Sequence, residues 1–204
     1  MEHDNCDFSP LRIYLKEQLE AIKEQLDTII AILDNDSDKC LLNQFDGLSR
    51  KFTETETLAS TYYLNCFLSP FTTKYNEISR SIQQLSTKRQ GALIVMERSD
   101  ELSSWITPGI PLAAAITSSL LESIFVPASP LHDGAVLIRD DTIHSAANIL
   151  PLTEQKYDSY KLGTRHRAAI GLSERTDALV LVVSEESGKP SFCVGGTLYP
   201  LSIS

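Results

Sequence analysis

The chain has 204 residues, 42% hydrophobic and 22% charged, proportions ordinary for a soluble globular protein. Its net charge of −9 excludes general nucleic-acid binding, which needs a basic footprint, so any anionic ligand must be drawn in by a local basic group. The acidic start Met1-Glu2-His3-Asp4-Asn5 does not resemble a signal peptide, and no apolar run approaches the roughly 18 residues that span a bilayer. Cys6, Cys40, Cys66 and Cys193 are widely separated and form no C-x-x-C pair, which argues against a disulfide framework or zinc knuckle. The expectation is a cytoplasmic chain with neither a membrane nor a nucleic-acid partner.

Residues 10–33 read as one amphipathic helix opened by Ser9-Pro10. Leu15, Leu19, Ile22, Leu26, Ile29 and Leu33 alternate at four-three spacing, a coiled-coil-like seam suited to its own domain or to a partner helix. Lys16, Glu17, Glu20, Lys23, Glu24 and Asp27 take the wet side. Asp34-Asn35-Asp36-Ser37-Asp38 begins like a calcium loop, but Lys39 and Phe45 replace the glycine and glutamate that such a loop needs, so it reads as an acidic turn. A short helix is expected at 39–46, ending at Asp46-Gly47, and then a Ser/Thr-rich linker with some helix at 48–70.

From about residue 71 the pattern becomes that of an α/β domain. Tyr75, Ile78, Ile82 and Leu85 make a helical stripe, and Gly91 to Met96 is an apolar run of strand length, suited to burial on both faces. A helix is expected at 111–125, strands at 134–139, 143–149, 178–184 and 191–195, and a helix at 165–175. The chain thus divides into a small N-terminal helical region, 1–70, and a larger domain, 71–204.

Three clusters carry chemistry. Asp133-Gly134-Ala135 stands at the mouth of a strand, where the carboxylate suits a metal or a proton and the glycine admits a ligand against the main chain. Asp-Gly is also among the commonest turn pairs. Gly163-Thr164-Arg165-His166-Arg167 runs into a helix, with Thr164 as its N-cap. A helix N-terminus and two guanidiniums suit phosphate, and two cations in a first helical turn are unfavourable without an anion. The competing reading is a surface ion-pair patch with acids such as Glu174. Ser184-Glu185-Glu186 closes an apolar strand, where open α/β sheets tend to bind ligands, though it also suits a solvated turn. P-loop, dinucleotide-binding and G-x-S-x-G signatures are absent.

In order and spacing, Gln90 to Ile94, Pro130 to Val136, Leu162 to Ala169 and Val183 to Glu186 resemble the diadenylate cyclase domain over roughly residues 75–200. The resemblance implies a mixed central β-sheet flanked by helices, and an enzyme that joins two ATP molecules into the second messenger cyclic di-AMP with release of two pyrophosphates. Residues 1 to about 70 lie outside it and look like the N-terminal helices of the soluble, sporulation-associated type. It also implies roles. Asp133 binds a divalent metal (Mg²⁺ or Mn²⁺) and helps activate the ribose hydroxyl, with Glu186 as its metal partner and His132 a weaker candidate. Gly134 and Ala135 admit ribose and α-phosphate. Arg165, His166 and Arg167 act at the phosphates, beside Gly163 and Thr164. Ser184 lines the nucleotide pocket and Leu150 the adenine slot. Where some members carry threonine, this chain has Ala168.

A product with twofold symmetry implies two half-sites face to face, hence a homo-oligomer. The N-terminal seam is expected to assemble subunits so that ATP sites are kept apart and activity is restrained, the alternative being that it only stabilises the domain. The alternatives are a nucleotide sensor without catalysis and an assembly module on the same fold.

Overall fold

The structure is a computed structural model that describes residues 9–34, 41–155 and 162–201. Its elements are α1 (Ser9–Asp34), α2 (Leu42–Leu68), α3 (Tyr75–Thr87), β1 (Ala92–Met96), β2 (Ile110–Ala115), α4 (Ser118–Ile124), β3 (Ala135–Arg139), β4 (Thr142–Asn148), α5 (Thr164–Ser173), β5 (Leu179–Val183), β6 (Pro190–Val194) and β7 (Thr197–Pro200). The strands form one mixed sheet in the order β2-β4-β3-β1-β5-β6-β7. Only β1 and β3 pair in parallel among these neighbours.

The central strands are buried on both faces, which is why they read as unbroken apolar runs. Ile94 and Met96 of β1 and Leu179 and Leu181 of β5 face a core shared with α3, α4 and the end of α2. Leu93, Val95, Val180 and Val182 face the opposite core, filled by Ala169, Ile170 and Leu172 of α5. Helices thus cover both sides of the sheet.

The expected short helix and linker at 39–70 are instead one 27-residue helix, α2, running through Gly47. Packing against α1 overrides the weak helix propensity of its Ser and Thr residues. The hydroxyls of Thr53 and Thr55 bond the carbonyls of Ser49 and Lys51 one turn back, so they need no water. Leu64 and Leu68 join the sheet's core, while Phe67 lies 6.1 Å from Phe192 of β6, ring centre to ring centre.

The seam of α1 is split by its environment. Ile22 and Ile29 are buried, Leu15 is half-buried, and Leu19, Leu26 and Leu33 are exposed. Asp34 ends α1, and the rest of the acidic turn lies outside the described residues. Cys66 is disulfide-bonded, contrary to the expectation from cysteine spacing, whereas Cys193 is a free thiol that burial pushes up to about 11. Cys6 and Cys40 lie outside the described residues.

The helix expected at 111–125 is also corrected. Its first half is the edge strand β2, which pairs with β4 across an irregularity between Pro111 and Ala114. An edge tolerates Pro111, which has no N–H to donate. The helix begins only after Thr117, whose hydroxyl accepts the Leu120 N–H at 3.2 Å. The short hairpin strand β7 was not expected from sequence.

Candidate active site

A cavity of about 1050 Å³ opens at one end of the sheet, and all three clusters reach it. It lies beyond the carboxyl ends of β4 and β5 but the amino ends of the parallel pair β1 and β3. The rule for parallel sheets therefore holds at Ser184 and is reversed at Asp133, because the sheet is mixed. His132, Asp133, Gly134, Leu150, Gly163, Thr164, Arg165, His166, Ser184 and Glu186 all line the cavity, gathered from loops far apart in sequence.

One wall is set by backbone. Gly134 has φ +109°, and a Cβ there would come within 2.7 Å of the Asn148 carbonyl oxygen, so no other residue fits. The turn is therefore a shaped element and not a generic Asp-Gly bend. Asp133 stands exposed at its tip, and none of the described residues hydrogen-bonds its carboxylate. His132 is partly committed, since its Nδ1 lies 2.6 Å from the Ser129 carbonyl oxygen. Ala135 turns its side chain into the core, its carbonyl accepts a hydrogen bond from Asn148, and it is not among the residues lining the cavity.

The other wall is charged and sits on α5. Gly163, not Thr164, is the N-cap, with extended backbone and no side-chain cap, so Thr164 opens the helix with its N-terminus toward the cavity. Arg165 Nη1 donates to Glu185 Oε2 at 2.8 Å. A Cβ on Gly91 would collide with that guanidinium, so the glycine makes room for it. Glu174, the acid expected for an ion-pair patch, lies elsewhere: it accepts the Thr153 hydroxyl at 2.7 Å and pairs with Arg175 at 3.5 Å.

Burial pushes the His166 imidazole below its ordinary pKa, against the opposing pull of Glu186. Arg167 corrects the reading of an Arg-His-Arg fork. Its Nη2 reaches the Thr153 carbonyl at 3.4 Å, and it is not among the residues lining the cavity. Two helical steps, about 200° in all, turn it away from Arg165 and onto segment 151–153. That segment packs so tightly on α5 that a Cβ on Gly171 would strike its backbone.

Ser184 lines the cavity while also bracing the β5–β6 turn, accepting the Ser187 N–H at 3.2 Å. Asn148 was missed from sequence, and Glu185 was seen only as part of the Ser184-Glu185-Glu186 cluster and not as the partner of Arg165, since nothing local to either residue signals its partner. Asp133 and Glu186 present exposed carboxylates to one cavity, and the described residues hold no group of three or more His, Cys, Asp or Glu that could cage a metal. Such a pair fits Mg²⁺ or Mn²⁺ bound through one or two carboxylates, with water and phosphate oxygens as the other ligands.

Comparisons with known proteins agree with this architecture. Residues 79–198 match the family model described as DisA bacterial checkpoint controller nucleotide-binding. Residues 2–71 match the one described as diadenylate cyclase CdaS, N-terminal. The chain is 47% identical to diadenylate cyclase CdaS of Bacillus thuringiensis, over 95% of this chain and 96% of the relative. It is 46% identical to cyclic di-AMP synthase CdaS of Bacillus subtilis, over 97% and 93%. A crystal structure described as a hypothetical membrane spanning protein from Bacillus cereus superposes with a TM-score of 0.81 at 47% identity, covering 95% and 94%. No helix among the described residues of this chain is long and apolar enough to cross a membrane. With both family models matched in tandem and nearly the whole length of these relatives covered, the chain belongs to the diadenylate cyclase family, with the N-terminal region of the CdaS type.

Proposed function

We propose that this chain is a diadenylate cyclase that condenses two ATP molecules into cyclic di-AMP and two pyrophosphates, in the cytoplasm, at sites formed face to face by two copies. The observation that carries the reading is one cavity lined by the acid-glycine turn, the N-terminus of α5 and Ser184 to Glu186. Each ribose 3′-hydroxyl attacks the α-phosphate of the other ATP, forming one P–O bond as pyrophosphate leaves with the breaking one. One ATP in one cavity has no acceptor phosphate, so the chemistry requires a second copy.

The residues divide the work by position. Leu150 packs against adenine, Ser184 touches the nucleotide, and Gly134 lets ribose and α-phosphate lie against the main chain. Arg165, Thr164 and the first N–H groups of α5 hold the phosphates. His166 lies beside them, its neutral form favoured by burial. Asp133 faces the 3′-hydroxyl. A divalent ion held by Asp133 and Glu186, when bound, eases charge on the phosphate oxygens. Arg167 acts indirectly, by holding segment 151–153 against α5.

Purified chain incubated with ATP and Mg²⁺ or Mn²⁺ should yield cyclic di-AMP by mass spectrometry. Asp133→Asn should reduce the rate by about 10²–10⁴-fold without a change in Tm. Absence of product from the folded wild-type chain with either ion would overturn the assignment, and an active Asp133→Asn would remove Asp133 from it.

The exposed half of the α1 seam supports a second element: assembly through residues 1–70 that keeps catalytic faces apart and restrains turnover, with 71–204 as the catalytic domain. Deleting 1–70 should raise turnover per site. An unchanged or abolished rate in a folded 71–204 fragment would refute restraint.

A further inference from the structure

The floor of the cavity contains a buried amide that ties together three strand ends. Asn148, the last residue of β4, is 1% exposed. Its Oδ1 accepts both the Gly109 N–H and the Ser145 hydroxyl, each at 2.9 Å. Its Nδ2 donates to the Ala135 carbonyl at 2.8 Å. Only the oxygen of an amide accepts, so the two bonds at Oδ1 fix its orientation and direct the NH₂ group at Ala135.

The main chain at this point grips the same turn. Ala147 is held in the left-handed region, at φ +57°, directly before Asn148. The Asn148 carbonyl oxygen lies where a Gly134 side chain would begin. A left-handed alanine is costly and persists only where its surroundings over-determine it. Side chain and backbone of one residue therefore clamp Ala135 and Gly134, the two residues that follow Asp133.

We propose that Asn148 is a positioning residue for the cyclase reaction, holding the Asp133-Gly134-Ala135 turn in register while the α5 wall binds the phosphates. The proposal rests on the assignment of Asp133 to the reacting end of the site. The three side-chain bonds of Asn148 run to Gly109 just before β2, to Ala135 of β3 and to Ser145 of its own strand β4, and none to α5. Disturbing it should move the acid relative to a nucleotide that still binds. A residue that merely stabilised the core would lower Tm and leave the kinetics of the folded fraction unchanged.

Asn148→Asp keeps size and both accepted bonds but turns an oxygen toward the Ala135 carbonyl. In the full chain its kcat should fall by roughly 100-fold, the scale of a misplaced reacting group, while KM for ATP stays at the wild-type value. Ser145→Ala removes one bond at Oδ1 and keeps the bond to Ala135, so kcat should fall by about fivefold, again at constant KM. It decides the question if Asn148→Asp does not fold. Wild-type kcat in folded variants, or a loss carried by KM, would overturn the proposal. Should Asp133→Asn prove fully active, the failure lies with the site assignment and not with Asn148.

Discussion

The two walls of the cavity are built on different principles. The acid wall is held by main chain: a glycine at φ +109°, an alanine at φ +57°, and a buried amide between them. The phosphate wall is held by side-chain charge: Arg165 beside a helix N-terminus, paired with a mostly exposed Glu185. A group that must meet a hydroxyl at one distance gains from rigid support, since misplacement costs rate. A group that must take in and release a polyphosphate gains from a partner it can exchange. Arg165 pairs with Glu185 at 2.8 Å, and on the proposed function it would give up that acid to gain phosphate.

Truncating the charged wall should have the largest effect on binding. Arg165→Ala should raise KM for ATP by about 10- to 100-fold, the worth of one or two charge-assisted hydrogen bonds, with Tm little changed. An Arg165→Ala variant that loses kcat at constant KM would erase the contrast between the walls. Removing the competitor should act in the other direction. Glu185→Gln should lower KM by about two- to fivefold, as expected for an exposed ion pair worth under about 1 kcal/mol. A higher KM would make Glu185 a ligand-binding group instead.

The smallest effect is on pH dependence. Because burial holds His166 below its ordinary value, folding favours the neutral ring. Its stabilisation is complete above the unfolded imidazole pKa and is lost as pH falls toward the folded value. Thermal melts of the wild type should therefore decline more steeply than those of His166→Gln as pH drops below about 6.5. Parallel melting curves would show that the ring gains nothing from being neutral.

The short clusters Asp133-Gly134-Ala135 and Arg165-His166 were legible because each packs a chemical capability into adjacent residues. The central strands were legible because burial on both faces forces unbroken apolar runs such as Leu179 to Val183. The errors share one cause. Ser and Thr between residues 48 and 62 look like a linker until α1 lies against them, and Leu112 to Ala115 look helical until β4 supplies their hydrogen-bond partners. Arg167 looked like one half of a fork until helical rotation placed it on Thr153.

By itself, then, the sequence determined the kinds of chemistry present, the family and the apolar elements of the core, since composition and short motifs are local properties. Only the tertiary structure decided which acid Arg165 meets, which way Arg167 turns, and that the Asn148 amide bonds Gly109 and Ala135. Those outcomes depend on residues between 13 and 39 positions apart in the chain, and no local pattern encodes a partner at that distance.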